Sequence, residues 1–103
     1  MATIRHLLLS VLAAAAPMTS ALAADATNGE QLARRWCASC HIVASNQQGA
    51  TTEAPPFASV ARRPDFSAAR IAFFLLDPHP KMPDMGLSRT AADDIAAYIA
   101  TLK

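Results

Sequence analysis

Apolar and polar positions along this chain alternate in blocks that read as helices separated by proline-rich loops. Leu7 to Ala16 is a run of ten residues, apolar but for Ser10, behind a short basic start. From Asp25 to His41 there are few helix breakers, and Leu32 and Trp36, four apart, share one helical face. The first helix is predicted to begin near Thr27 or Asn28 as N-cap, with Glu30 in its first turn. Ile42 to Pro56 is polar and loop-like around Asn46-Gln47-Gln48-Gly49, and Phe57 to Arg63 is long enough for a turn or a short helix. Phe66 to Leu76 follows Pro64, with Asp65 or Ser67 as cap, and stops at Asp77-Pro78. It is apolar over most of its circumference, which predicts burial on more than one face. His79 to Gly86 is interrupted by prolines and is not regular. The last helix runs from Ser88 to Leu102, with Ala91/Ala92, Ile95, Tyr98/Ile99 and Leu102 as its stripe and Asp93 and Asp94 off it. No strand-like alternation of any length occurs, so the fold class is all-α.

The opening block changes the size of the problem. Basic start, apolar run and a small-residue region ending Ala21-Leu22-Ala23 form the layout of a secretory signal peptide. Ten residues are too few to span ~30 Å of hydrocarbon, so a retained anchor is not expected. Residues 1–23 are therefore predicted to be cleaved and residues 24–103 to form one domain. Removing 23 of 103 residues takes Arg5 away and leaves eight basic against eight acidic residues. Such a balance gives no field for nucleic acid or an anionic membrane. A domain this small is marginal on its core alone and calls for a staple. A Cys37–Cys40 disulfide would close too short a loop to serve.

The chemistry concentrates at Cys37-Ala38-Ser39-Cys40-His41, which holds the chain's only two cysteines and one of its three histidines. C-x-x-C-H is the attachment pattern of a c-type haem: two thiols add across the vinyl groups and the next residue offers an imidazole to the iron. On its own, the pattern also admits a redox dithiol or coincidence. The βαβ context of a thioredoxin-like dithiol is missing around Cys37, and ligands for a zinc site are too few at suitable spacing. Nor does the chain carry a nucleophile–base pair or a carboxylate dyad of hydrolase type. No enzyme is expected.

The order of a helix with Gly29, the C-x-x-C-H turn, a Pro-Pro-Phe loop, a helix, Met82-Pro83 and a last helix with Tyr98 resembles the small class I c-type cytochromes of bacteria. The likeness covers essentially the whole of residues 24–103. It implies the cytochrome c fold, three to four helices wrapped around one covalent haem c with the first and last crossing. It further implies Cys37 and Cys40 as the thioether positions and His41 as the proximal iron ligand. Pro55, two residues ahead of Phe57, matches the proline whose carbonyl accepts the other imidazole N–H. Gly29 matches the glycine of the helix crossing, with Tyr98 or Ile99 opposite. Ala33 departs from the pattern, since many relatives place an aromatic there, and Trp36 is the residue available to fill that space.

For the sixth ligand, the segment 78–86 offers Met82, Met85 and His79. The family's ligand is a methionine directly before a proline, which makes Met82 the expected one, Met85 a core filler and His79 a surface residue. His/Met ligation leaves no open iron site, so the resemblance implies one-electron transfer, exported to the periplasm, between redox proteins as donor and acceptor. The chain would be a free monomer or a haem subunit of a larger periplasmic oxidoreductase. A five-coordinate haem sensor or enzyme is the remaining alternative. Arg34-Arg35, Arg62-Arg63 and Lys81 could ring the haem edge toward an acidic partner, although charges of this kind are more often a solvated face.

Overall fold

A computed structural model describes residues 15–17, 23–49, 54–78 and 80–103. The predicted leader, apart from residues 15–17 and 23, lies outside the described residues, as does His79. Four helices follow in order: α1 (Ala26–Trp36), α2 (Phe57–Ala61), α3 (Ala68–Leu76) and α4 (Arg89–Ala100). No strand occurs among the described residues.

Each long helix starts at a side-chain cap. Asp25 accepts from Asn28 N at 3.0 Å, Ser67 from Arg70 N at 3.4 Å and Ser88 from Ala91 N at 3.0 Å. The start of α1 is thus two to three residues earlier than the expected Thr27 or Asn28, because Asp25 is the stronger local acceptor. Glu30 consequently sits past the first turn and instead pairs with Arg34 at 2.9 Å, one helical turn on.

The terminal helices cross at Gly29. A Cβ there would overlap the carbonyl group of Asp94 and come within 3.0 Å of Ile95 N. Only a residue without a side chain allows the two backbones this close. The residues facing Gly29 are therefore Asp94 and Ile95, one turn ahead of the Tyr98 or Ile99 expected from the family pattern. Ala33, fully buried, continues the same close approach. Trp36 does not fill the space beside it; the ring is 45% exposed, with the Arg35 guanidinium 5.0 Å from its centroid.

Asp94 corrects the sequence reading in a second way. It lies in the interface, 5% exposed, not on the polar side of α4. Its carboxylate accepts from Asp25 N at 2.7 Å and from Asn28 Nδ2 at 2.8 Å. Both oxygens are thus bonded at the N-terminal end of α1, where the helix dipole favours negative charge. Apolar contacts complete the interface through Ala92, Ile95 and Ala96, each at most 1% exposed.

Tyr98 ties the last helix to the loop behind the Cys37–His41 turn. Its hydroxyl donates to Val43 O at 2.6 Å, both residues buried. Burial first, then the charge of Glu30, pushes this hydroxyl above the ordinary phenol range, with Arg34 acting in the opposite sense. The folded state therefore holds the proton more tightly than the unfolded one. The stability this brings is complete below about pH 10 and is lost as pH rises toward the folded hydroxyl's own titration. Tyr98→Phe is expected to cost about 1–2 kcal/mol at neutral pH, because Val43 O is left without its donor. The same variant should lose the alkaline slope of stability. Tyr98 is the chain's one tyrosine, so phenolate absorbance followed against pH reads it directly.

Helix α3 packs on α4 through Ala72 and Leu75. The predicted burial on several faces holds only in part. Ile71, Phe74 and Leu75 turn toward a cleft, whereas Phe73 is 75% exposed. Between α3 and α4, Gly86 adopts φ 62° and donates its N–H to Asp84 Oδ1 at 2.8 Å. This turn needs the left-handed backbone that glycine takes without strain, and it redirects the chain from Met82-Pro83 into α4.

Candidate haem site

The Cys37–His41 segment begins where α1 runs out. Cys37 N donates to Ala33 O at 2.8 Å, Ala38 N to the same carbonyl at 3.1 Å, and His41 N to Cys37 O at 2.9 Å. One and a half tight turns thus set Cys37, Cys40 and His41 on one wall. Cys37 is buried and Cys40 exposed. Burial first, and then the neighbouring Cys40, pushes the Cys37 thiol up to about 11. Dithiols that exchange disulfides have the reverse, a lowered thiol. The Cys37 thiol is displaced the other way.

The loop that follows returns to the same wall. Phe57 N donates to Ile42 O at 2.9 Å, closing a loop that carries Pro55 over the imidazole. His41 Nδ1 lies 2.7 Å from Pro55 O. A carbonyl oxygen only accepts, so Nδ1 carries the proton, and the lone pair is left on Nε2. The Phe57 ring, 5.2 Å from the imidazole at a tilt of 50°, limits its rotation. The contact between the His41 ring and the Pro55 carbonyl implied by the resemblance is present.

Opposite stands a cavity of ≈ 1040 Å³. Cys37, Cys40, His41, Pro55 and Phe57 form one side. Phe66, Ile71, Phe74 and Leu75 add apolar lining, Ile99 of α4 reaches it, and Lys81, Met82, Pro83 and Met85 belong to the same lining. Ligand pockets usually hold about 300–1,000 Å³, so this one is at the large end. Met82 also packs on the core beside the cleft. Met85 lines the cavity as well, so both methionines named from the sequence are brought to it. Arg63, Arg70 and Lys81 are the basic residues on its rim. Of the cations expected to ring the site, Arg34 is turned instead to Glu30 and Arg62 is not part of the lining.

The residues present fit a haem: two thiols three residues apart, an imidazole with its free lone pair fixed, and methionine thioethers and apolar side chains lining the same cavity. Sequence reasoning missed Arg70, which reaches the cleft from α3 and lies 3.9 Å from Asp65. It also passed over Gln47 as part of a polar loop. Nothing in the sequence pattern marks either residue, although the partners of Gln47, Ala38, His41 and Val43, are close to it in sequence.

Residues 24–99 match the family described as cytochrome C oxidase, cbb3-type, subunit III. The chain is also similar to cytochrome c-552 of Bradyrhizobium diazoefficiens, 66% identical over 93 residues, which covers 90% of this chain and 89% of that protein. The chain belongs to this family of c-type cytochromes. Its cofactor is accordingly covalent haem c, its chemistry is electron transfer, and its four helices form the all-α cytochrome c fold. No solved structure matches the chain.

Proposed function

We propose that this cytochrome is a periplasmic one-electron carrier whose haem iron is held between His41 and Met82. The observation that carries the reading is that the fixed imidazole and the Met82-Pro83 segment line one cavity. Bound haem supplies a metal centre that gains and loses one electron. The chain's own residues do the rest. Cys37 and Cys40 hold the porphyrin through thioethers. Pro55 keeps His41 Nδ1 protonated and its Nε2 turned to the iron. Pro80 and Pro83 stiffen the segment that presents the Met82 thioether, and a neutral thioether favours the ferrous state. Arg63, Arg70 and Lys81, which line the cavity, would supply countercharge to the two propionates. With His41 and Met82 both committed to the iron, no position would be left for a substrate, which is why a carrier is favoured over an enzyme.

Residues 1–23 act as a cleaved export signal in this reading, supported by their three-part layout and by a family match that starts at residue 24. Among the described residues no helix is long and apolar enough to cross a membrane. Donor and acceptor are other redox proteins. The family description names an oxidase subunit, which favours as second reading a haem c domain held within such a complex. Cytochrome c-552 matches along nearly its whole length, which favours the free carrier. Gel filtration of native extract separates them: a carrier elutes near its own mass, a subunit with its complex.

The function is tested by potentiometric titration of the purified holoprotein. A single reversible one-electron wave, with the same spectrum recovered after each cycle, is expected. Irreversible change on cycling, or turnover of a small-molecule substrate at the haem, would count against a carrier.

A further inference from the structure

Outside the iron-facing residues, one polar side chain has every donor engaged at the attachment turn. Gln47 Oε1 accepts from Val43 N at 2.8 Å, while Gln47 Nε2 donates to Ala38 O at 2.9 Å and to His41 O at 2.8 Å. The orientation of the carboxamide is decided by its partners, because two carbonyl oxygens can only accept and an amide N–H can only donate. Both Nε2 hydrogens are used. The three backbone groups bracket the motif: one between the cysteines, one on the histidine, one two residues beyond it. Val43 is pinned from its other side too, by the Tyr98 hydroxyl on Val43 O.

We infer that Gln47 is the positioning residue of the Cys37–His41 turn, a single carboxamide that fixes the backbone carrying the proximal imidazole. Pro55 orients the ring through Nδ1, and Gln47 fixes the main chain at its root. Between them the imidazole keeps neither rotation nor translation. The inference rests on His41 being the proximal ligand. Its energetic logic does not need the haem, because the partly buried carbonyls of Ala38 and His41 require donors in any case. Asn is one methylene too short to span all three groups, and Glu offers no donors when ionised.

The test compares the wild-type holoprotein with Gln47→Met, which keeps length and volume but has no hydrogen bonds of this kind, and with Gln48→Ala at the exposed neighbour. Hydrogen exchange followed by NMR reads the Val43 amide and the Gln47 side-chain amide. Reduction potential reads the imidazole's geometry. In the wild type, both amides should exchange at least about tenfold more slowly than the exposed Gln48 side-chain amide. Gln47→Met should lose the protection at Val43 and shift the potential, with helix content retained. Gln48→Ala should change neither. Gln47→Met with wild-type potential and full Val43 protection would overturn the inference. If that variant does not fold, the wild-type exchange alone decides: rapid exchange of the Gln47 amide overturns it. The exchange readouts do not depend on which residue binds the iron, so failure here is separable from failure of the His41 assignment.

Discussion

Gly29→Ala is expected to destabilise the holoprotein by about 3 kcal/mol, the upper end of the range for overpacking. On an exposed helix the same change is worth roughly 1 kcal/mol in the opposite direction, since alanine is the better helix former. The sign is therefore diagnostic. At residue 29 the added methyl meets main-chain atoms of Asp94 and Ile95, not the end of a flexible side chain that could swing away. To admit it the helices must part, which strains the Asp94 bonds to Asp25 N and Asn28 Nδ2 and opens the packing of Ile95 and Ala96. In a domain of this size a loss so large is a major share of total stability. Urea unfolding of the two proteins measures it. An unchanged or raised midpoint would mean that α1 and α4 do not approach at this point.

Met82→Ala carries the second large effect. Removing the thioether should abolish the weak absorption of the ferric protein near the red end of the visible spectrum and lower the reduction potential, because a ligand that favours ferrous iron is lost. A loss on the order of a hundredfold in that preference corresponds to ~120 mV, at ~59 mV per tenfold for one electron. Met85→Ala should leave the red absorption in place. The reverse pattern would move the ligand three residues along the same wall of the cavity, where Met85 also stands.

What could be read ahead of the fold was the part written in local chemistry. The C-x-x-C-H spacing, the serine caps of α3 and α4 and the stop at Asp77-Pro78 all act within a few residues of themselves. Each was found where its pattern placed it. Contacts made across the fold were less visible. Asp94 looked like a solvent residue because its partners, Asp25 and Asn28, are more than sixty positions away. Trp36 was offered as core by its size, yet close approach at Gly29 and Ala33 leaves no space for it there. Gln47 carried no signal at all, since a glutamine in a polar loop is ordinary until its three partners are seen together. Helix α3 illustrates the same limit. Its apolar circumference indicated much buried area, but not that one side would line a cavity and leave Phe73 in the open.

The central claim is that both axial positions of the iron are filled by this chain, His41 on one side and Met82 on the other. Carbon monoxide mixing with the reduced holoprotein tests it most directly, because the gas binds only where a coordination position is open or easily vacated. No rapid adduct is predicted for the wild type, and a rapid one for Met82→Ala. Rapid binding by the wild-type protein would contradict the claim and leave an open haem in its place.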